Sequence, residues 1–123
     1  MIGVGIDAVE IRRFREVLER RPLMVDRLFS GAERRLAGSR SDPVPTLAAR
    51  FAAKEAAMKA LGTGWARGVR WRDIEVANAP GGKPSLHLEG VARQIADRLG
   101  VKNISLSITH SGNLALAQVI FES

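Results

Sequence analysis

Two carboxylates and one lysine stand in the two most distinctive segments of this 123-residue chain. Asp7 interrupts the apolar segment GIDAVEIRR, and Glu55 and Lys59 lie in RFAAKEAAMKALG. Burying a carboxylate in an apolar strand is costly unless the group is paired or binds a cation. Asp7 could instead cap the helix that follows it. From the residues alone, both interpretations of Asp7 stay open.

Glu55 and Lys59 are four residues apart, so they share one face of a helix, together with Phe51. Such spacing is typical of a surface ion pair, which is the simplest interpretation. Two features weaken it. The same helix also carries Arg50 and Lys54, and its remaining positions are mostly alanine, which lets another backbone or a ligand approach closely.

Other candidate groups lie at a strand end and in glycine-rich loops. His110 ends a strand in SITHSGN, where an imidazole can meet a phosphate or simply hydrogen-bond the turn. The loops GTG (62–64) and GGKP (81–84) offer backbone amides that can hold phosphate. Neither matches the P-loop pattern GxxxxGK[ST], and the dinucleotide fingerprint GxGxxG is absent. His87 is predicted to be an ordinary histidine on a sheet surface.

Hydrophobic periodicity predicts the elements that must position these residues. Alternation over residues 2–9 predicts a half-buried strand in which Asp7 faces away from the isoleucines. A helix over 10–21 and a short helical turn follow. A capping box formed by Ser30 and Glu33 begins the next helix, and a loop over 38–45 comes after it.

A long alanine-rich helix is predicted from Thr46 to Gly62. In the second half of the chain, apolar and polar residues alternate in short runs that predict strands, and one amphipathic helix ends at Gly100. The predicted strands contain Trp71 to Val76, Leu86 to Leu88, Ile104 to Ile108, and residues 114–121. The last of these, LALAQVIF, is apolar on both faces and is predicted to be buried. One of its faces could meet the core and the other a second subunit. We therefore predict a single small α+β domain over 1–123, with a largely antiparallel sheet packed with helices.

The composition narrows the classes of function. The chain has no cysteine, which excludes a thiolate metal site and a cysteine nucleophile. Its net charge of +6 favours an acidic partner, while two Trp and four Phe supply few stacking platforms for single-stranded nucleic acid. The N-terminal segment reads as a strand rather than a signal peptide. We expect a cytoplasmic protein with no membrane partner.

Five motifs in a fixed order are far more specific than any one of them: GIDAVEIRR, FSGAE, RFAAKEAAMKALGTG, GGKP and SITHSGNLALAQV. In this combination the chain resembles the holo-acyl-carrier-protein synthase family of 4′-phosphopantetheinyl transferases, over essentially its whole length. The resemblance implies that family's fold and transfer of 4′-phosphopantetheine from coenzyme A to a serine of apo acyl carrier protein. Adenosine 3′,5′-bisphosphate would be released. It further implies Mg2+ as cofactor and a homotrimer with active sites between subunits.

The same resemblance implies roles for individual residues. Asp7 and Glu55 stand where the family's magnesium ligands lie, and Lys59 matches the lysine that contacts the reacting phosphate. Arg13 and Arg20 match basic positions on the first helix that receive the acidic carrier protein. The residues in segments used around the coenzyme A nucleotide are Arg50, Gly62, Lys83, Pro84, Thr109 and His110.

The expected chemistry is phosphoryl transfer, in which charge builds on the bridging and leaving oxygens. Magnesium and Lys59 would neutralise that charge. The serine proton needs an acceptor, for which Glu55 is the first choice, directly or through a magnesium-bound water, and Asp7 the alternative. Met58 replaces a residue that is polar in some relatives, so one hydrogen bond to the ligand is expected to be missing.

Two other functions would explain parts of the sequence. A nucleic-acid-binding domain would explain the positive charge but not the positions of Asp7 and Glu55; salt-sensitive DNA binding with no metal requirement would support it. A non-catalytic oligomeric scaffold would explain the alanine-rich helix as a subunit interface, and an absence of coenzyme A binding would favour it. We expect no nucleic-acid partner.

Overall fold

The computed structural model describes residues 1–64, 68–78 and 81–123. Five strands and five helices follow one another in the order β1 (Gly3–Glu10), α1 (Ile11–Arg20), α2 (Met24–Leu28), α3 (Gly31–Gly38), α4 (Val44–Leu61), β2 (Ile74–Asn78), β3 (Pro84–Leu88), α5 (Gly90–Leu99), β4 (Asn103–Ser111) and β5 (Leu114–Glu122). A short 3-10 helix, Trp71–Asp73, precedes β2. The predicted α+β class is confirmed. The sequence also indicates a glycine-rich connection over 62–68 and a turn that begins at Pro80; both lie partly outside the described residues.

The strands form two antiparallel sheets rather than one. The larger sheet has the order β1-β5-β4, so the N-terminal strand pairs with the C-terminal one, and β2 pairs with β3 in a separate hairpin. In the larger sheet Asp7 lies opposite Ala117, which in turn lies opposite Ile108. Val9, Ala115 and His110 form the next row. Side chains in these two rows share the face that packs on the helices.

Helix α4 crosses this face and is buried along most of its length. Two glycines of β1 allow an unusually close approach, because a Cβ at Gly3 would lie 2.2 Å from the carbonyl oxygen of Ala60. At Gly5 it would lie 1.8 Å from that of Ala56. Neither distance is possible for a real side chain, so only glycine fits at these positions. This contact sets the separation between β1 and α4.

The described residues leave the opposite face of β1 uncovered. Ile6 is 60% exposed and Val4 is 49% exposed. The predicted alternation is therefore present, with the glycines and Asp7 turned toward α4 and the larger apolar side chains turned outward. Strand β5 behaves in the same way: Ala115 and Phe121 are fully buried on one face, whereas Leu114 on the other is 43% exposed. The prediction that β5 is buried on both faces is wrong for this chain taken alone.

Two predicted boundaries are also wrong. Helix α4 begins at Val44 rather than at a Thr46 cap. Pro45 fits the first turn because that turn needs no backbone donor there, and an Asp42 carboxylate oxygen accepts a hydrogen bond from the Val44 amide. Trp71 lies in the 3-10 helix and not in a strand. The predicted capping box of α3 is confirmed: the Ser30 hydroxyl accepts from the Glu33 amide.

Candidate active site

Asp7 and Lys59 meet at the edge where β1 runs along α4. The ammonium Nζ of Lys59 lies 2.8 Å from the carboxylate Oδ1 of Asp7 and donates a second hydrogen bond to the carbonyl of Ile6 at 3.1 Å. The Asp7 side chain is 12% exposed, whereas that of Lys59 is 54% exposed. The ion pair that spacing suggested between Glu55 and Lys59 is therefore made by Lys59 with Asp7 instead.

Glu55 lies one helical turn before Lys59 and faces the same centre. Its pKa is raised from the ordinary 4.5 to about 7, chiefly by burial and then by the negative charge of Asp7, against the opposing charge of Lys59. A carboxyl group with such a pKa exchanges its proton near neutral pH. Three groups from β1 and α4 thus form one centre, which we call the carboxylate centre: Asp7, Glu55 and Lys59.

The carboxylate centre fits a hard divalent cation. Two neighbouring carboxylates repel each other, and after burial the charge of Asp7 is the next largest cause of the raised pKa of Glu55. A cation between them would relieve that repulsion. Among the described residues no group of three or more metal-ligating side chains occurs. Mg2+ does not require one, since it is usually held by one or two carboxylates and completes its shell with water and substrate phosphates.

A second centre lies one and a half helical turns earlier on α4. Arg50 is 7% exposed, and its Nη2 donates to the side-chain oxygen of Asn78 at 3.2 Å. Its Nε is buried without a hydrogen-bond partner in the described part of the chain. Burial lowers the pKa of Arg50; the charge of Glu33 opposes this effect and that of nearby Arg40 adds to it. A guanidinium with an unused buried donor is suited to an anion such as phosphate.

Lys83 and Pro84 belong to the same end of the β2–β3 hairpin. Pro84 lies opposite Asn78 in the hairpin register, so Arg50 and Pro84 flank the same strand end. Both Lys83 and Pro84 line a cavity of about 350 Å3, which is bounded on its other side by Ile104 to Leu106 of β4. Pro84 is the first residue of β3, not a turn residue as predicted.

The remaining residues expected around the nucleotide are dispersed. Gly62 caps the end of α4 with a positive φ of 78°, which explains its residue type without a ligand. Thr109 and His110 are neighbours on β4, so their side chains point to opposite faces of the sheet. His110 shares the face of Asp7, but β5 lies between the two strands, which places their axes about 10 Å apart. Within one chain, His110 is not brought to the carboxylate centre.

The exposed surface of α1 carries two arginines that have no acidic partner among the described residues. Ile11, Phe14 and Leu18 bury one face of α1, and Arg13 and Arg20 are exposed on another. Neither arginine forms an ion pair with any described residue, in contrast to Arg15, which binds Asp42 at 2.6 Å. These two residues, seven apart and therefore on one helix face, are available to an acidic partner.

Sequence reasoning missed three polar roles. Asn78 orients Arg50, and the side-chain oxygen of Asn113 accepts from the Arg12 amide at 2.8 Å, which caps α1 from a turn 101 residues away. Lys54, although it precedes Glu55, is fully buried against Glu33. Asn113 closes the segment SITHSGN, but no local pattern reveals such distant partners. Met58, flagged as a departure near the ligand, is buried in the apolar core.

Comparisons with known proteins converge on one family. Residues 3–119 match the family model of the 4′-phosphopantetheinyl transferase superfamily. The chain is 48% identical to a holo-[acyl-carrier-protein] synthase of Solibacter usitatus, over 100% of this chain and 99% of that protein. It superposes on the crystal structure of the synthase from Neisseria meningitidis with a TM-score of 0.91, at 30% identity and over 100% and 99% of the two chains. A synthase from Bacillus anthracis, solved in complex with CoA (3′,5′-ADP), gives a TM-score of 0.83 at 36% identity, over 99% and 96%.

Proposed function

Because the chain belongs to the holo-[acyl-carrier-protein] synthase family of the 4′-phosphopantetheinyl transferase superfamily, we propose that it acts on coenzyme A and apo acyl carrier protein. The chain is a transferase of the phosphopantetheinyl type. The finer proposal is that Asp7 and Glu55 hold Mg2+ and that a carrier-protein serine receives 4′-phosphopantetheine. The observation that carries it is the convergence of Asp7, Glu55 and Lys59 at one edge of the sheet.

In the proposed reaction the serine oxygen forms a bond to the β-phosphorus of coenzyme A, and the bond from that phosphorus to the bridging oxygen breaks. Adenosine 3′,5′-bisphosphate leaves with the bridging oxygen. Mg2+ held by the two carboxylates would supply charge neutralisation for the pyrophosphate. Lys59 adds a positive charge at the same position, where negative charge grows in the transition state.

Glu55 is the proposed acceptor of the serine proton. Burial and the Asp7 charge raise its pKa to about 7 in the chain without metal. A bound cation would favour the ionised carboxylate, which is the form that accepts a proton. Asp7 carries the hydrogen bond and charge of Lys59 at 2.8 Å, which makes its carboxylate the less available base. We therefore assign proton transfer to Glu55 and charge organisation to Asp7 and Lys59.

The nucleotide end of coenzyme A is proposed to lie against Arg50, with Lys83, Pro84, Gly62, Thr109 and His110 completing the site from two subunits. The buried Nε of Arg50, which has no hydrogen-bond partner among the described residues, supports a phosphate there. The exposed apolar face formed by Val4, Ile6 and Leu114 supports a homotrimer, because burying it against other copies is favourable. A subunit contact would also let His110 of one chain approach the carboxylate centre of another. A cytoplasmic location remains part of the proposal.

Across the described residues, each helix is too short or too polar to cross a lipid bilayer.

The test is the mass of apo acyl carrier protein after incubation with this protein, coenzyme A and Mg2+. We expect the mass of the carrier to rise by one phosphopantetheine group, with no increase in the presence of a chelator. Asp7→Asn and Glu55→Gln should each abolish transfer while circular dichroism stays unchanged. Asp97→Asn, which removes a surface carboxylate paired with Arg93, is the matched control and should retain full activity. Full activity in either site variant would remove that residue from the proposal.

A further inference from the structure

A fully buried ion pair lies on a different face of α4 from the carboxylate centre. The Lys54 Nζ is 2.8 Å from the Glu33 Oε1, and neither side chain has any exposure to solvent. Lys54 also donates to the carbonyl oxygens of Trp71, at 3.0 Å, and of Ile74. The cost of burying two charges is high, so a pair with this many additional bonds serves a specific arrangement rather than stability alone.

The buried ion pair binds backbone groups of strand β2. Among the described strands, β2 pairs with β3 alone, along one edge. On the other edge, the Val76 amide donates to the Glu33 Oε2 at 2.9 Å, and Lys54 donates to the carbonyl of Ile74. Buried backbone groups left without partners are costly. Glu33 and Lys54 therefore take the place of a neighbouring strand and bind the outer edge of β2 to α3 and α4.

The same strand ends at Asn78, whose side chain receives the hydrogen bond of Arg50. Arg50 and Lys54 are four residues apart on α4, so both face β2, one at each end of the strand. Glu55 directly follows Lys54 on the same rigid helix. The position of β2 against α4 consequently fixes Asn78, and Asn78 in turn fixes the direction in which the Arg50 guanidinium points relative to the carboxylate centre.

We propose that Lys54 and Glu33 are positioning residues for the phosphate site formed by Arg50 and Asn78. The inference rests on the proposed function, in which one substrate contacts both this site and the carboxylate centre. A substrate held at two points is sensitive to small changes in their separation. Lys54 and Glu33 make no hydrogen bond to either point; besides the charge of Glu33 that acts on Arg50, they act through the edge of β2.

The first experiment measures binding of adenosine 3′,5′-bisphosphate by calorimetry, well below the unfolding temperature. Lys54→Met keeps the length of the side chain but removes its donors, and we expect affinity to fall at least tenfold, with Mn2+ affinity at the carboxylate centre changed less than twofold. Asp73→Asn is the matched control, since Asp73 is buried in the adjacent 3-10 helix and bonds to Arg70. It should destabilise the fold but leave bisphosphate affinity within twofold. Equal losses in both variants would overturn the inference.

A double-mutant cycle separates positioning from a general loss of structure. If Lys54 acts through Asn78, then Lys54→Met should cost much less affinity in an Asn78→Ala background than in the wild type. Additive losses contradict the proposal. Arg50→Ala tests the proposed nucleotide site separately from the positioning role of Lys54. If this variant still binds the bisphosphate, the proposed nucleotide site is wrong. If it abolishes binding while Lys54→Met does not weaken it, only the positioning role fails.

Hydrogen exchange provides a test that needs no variant and applies even if Lys54→Met does not fold. Because coupling between two sites is reciprocal, a ligand at Arg50 must stabilise the edge that Glu33 holds. Adenosine 3′,5′-bisphosphate should slow exchange of the Val76 amide, which donates to Glu33, more than exchange of the buried Ala96 amide in α5. Equal slowing of both amides, or no slowing at Val76, would contradict the proposal.

Discussion

Lys59 reaches across from α4 to place its ammonium group 2.8 Å from the carboxylate of Asp7 on β1, joining two segments separated by 52 residues. The hydrogen bond and charge of Asp7 raise the pKa of Lys59 above its ordinary value, so the lysine stays charged at neutral pH. In the protein without metal, Lys59 occupies the position of a counter-cation for Asp7. In the proposed function, the same charge would also be available to a reacting phosphate.

Lys59→Met should therefore change catalysis and metal binding in opposite directions. We expect kcat to fall on the order of 100-fold, because a charge that stabilises the transition state is lost. Mn2+ affinity of the substrate-free protein should rise, because the competing ammonium no longer neutralises Asp7. Turnover is measured by carrier-protein mass and metal binding by electron paramagnetic resonance. Lys102→Met, at the exposed position after α5, is the control. A fall in both kcat and Mn2+ affinity would mean that Lys59 maintains the structure of the site rather than competing with the metal for Asp7.

The raised pKa of Glu55 predicts a pH dependence of stability in the metal-free protein. The pKa is about 7 in the folded chain against an ordinary 4.5, so the folded state holds the proton more tightly than the unfolded state does. The stabilising contribution of protonated Glu55 is complete below about pH 4.5 and is lost as the pH rises through about 7. Relative to Glu55→Gln, the wild type should lose stability between pH 5 and pH 8.

Urea unfolding of both proteins at the two pH values, in the presence of a chelator, measures this difference. Mg2+ added at pH 8 should then stabilise the wild type and not Glu55→Gln, because only the wild type presents two carboxylates to the ion. If the unfolding free energies of the two proteins change equally with pH, the pKa of Glu55 is not raised in the folded chain.

Charge reversal on α1 should weaken recognition of the acidic carrier. Arg13→Glu with Arg20→Glu is expected to raise the KM for carrier protein, most strongly at low salt, because the new negative charges repel an acidic partner and slow association. Affinity for coenzyme A should be unchanged. The control Arg98→Glu with Lys102→Glu makes the same change in net charge at exposed positions on and after α5. If the control raises the KM equally, net charge rather than a docking face is responsible.

Local patterns predicted from the sequence proved accurate where the interacting residues are close along the chain. The capping box of Ser30 and Glu33 spans three residues, and the glycine stop at Gly62 follows directly from helix geometry. Glu33 nevertheless has a second role, because its other carboxylate oxygen binds the Val76 amide 43 residues later. Nothing in FSGAE indicates that partner, since a capping box is complete without it.

For the candidate site too, the residues could be predicted from the sequence, whereas their distant contacts could not. The sequence singled out Asp7, Glu55 and Lys59 as unusual, but their proximity depends on the approach of β1 to α4, which Gly3 and Gly5 make possible. In the sequence these glycines read only as the alternate positions of a strand. Tertiary contacts of this kind have no periodic signature, so the fold class could be predicted and the geometry of the site could not.

Assembly is tested by complementation between two inactive variants. In the proposed trimer, the carboxylate centre of one chain is completed by His110 of another, because β5 separates His110 from Asp7 within a chain. Mixing Asp7→Asn chains with His110→Ala chains under conditions of subunit exchange should restore part of the transfer activity. No recovery after proven exchange would assign both residues to one chain, and a monomer in light scattering would exclude the trimer.

The contact between Gly5 and Ala56 supplies the final prediction. A Cβ at position 5 would lie 1.8 Å from the carbonyl oxygen of Ala56, so Gly5→Ala must push β1 away from α4. Overpacking of this kind costs about 1–3 kcal/mol of unfolding free energy, and more where backbone must move. Gly38→Ala is the matched control, because a Cβ there meets nothing within 4 Å and the residue ends a helix without a positive φ. Denaturant unfolding should show the loss for Gly5→Ala alone.

Because the displacement also moves Asp7 away from Glu55, the pKa of Glu55 in the remaining folded protein should fall toward its ordinary value. A Gly5→Ala protein with unchanged stability and an unchanged Glu55 pKa would contradict the close approach of β1 and α4.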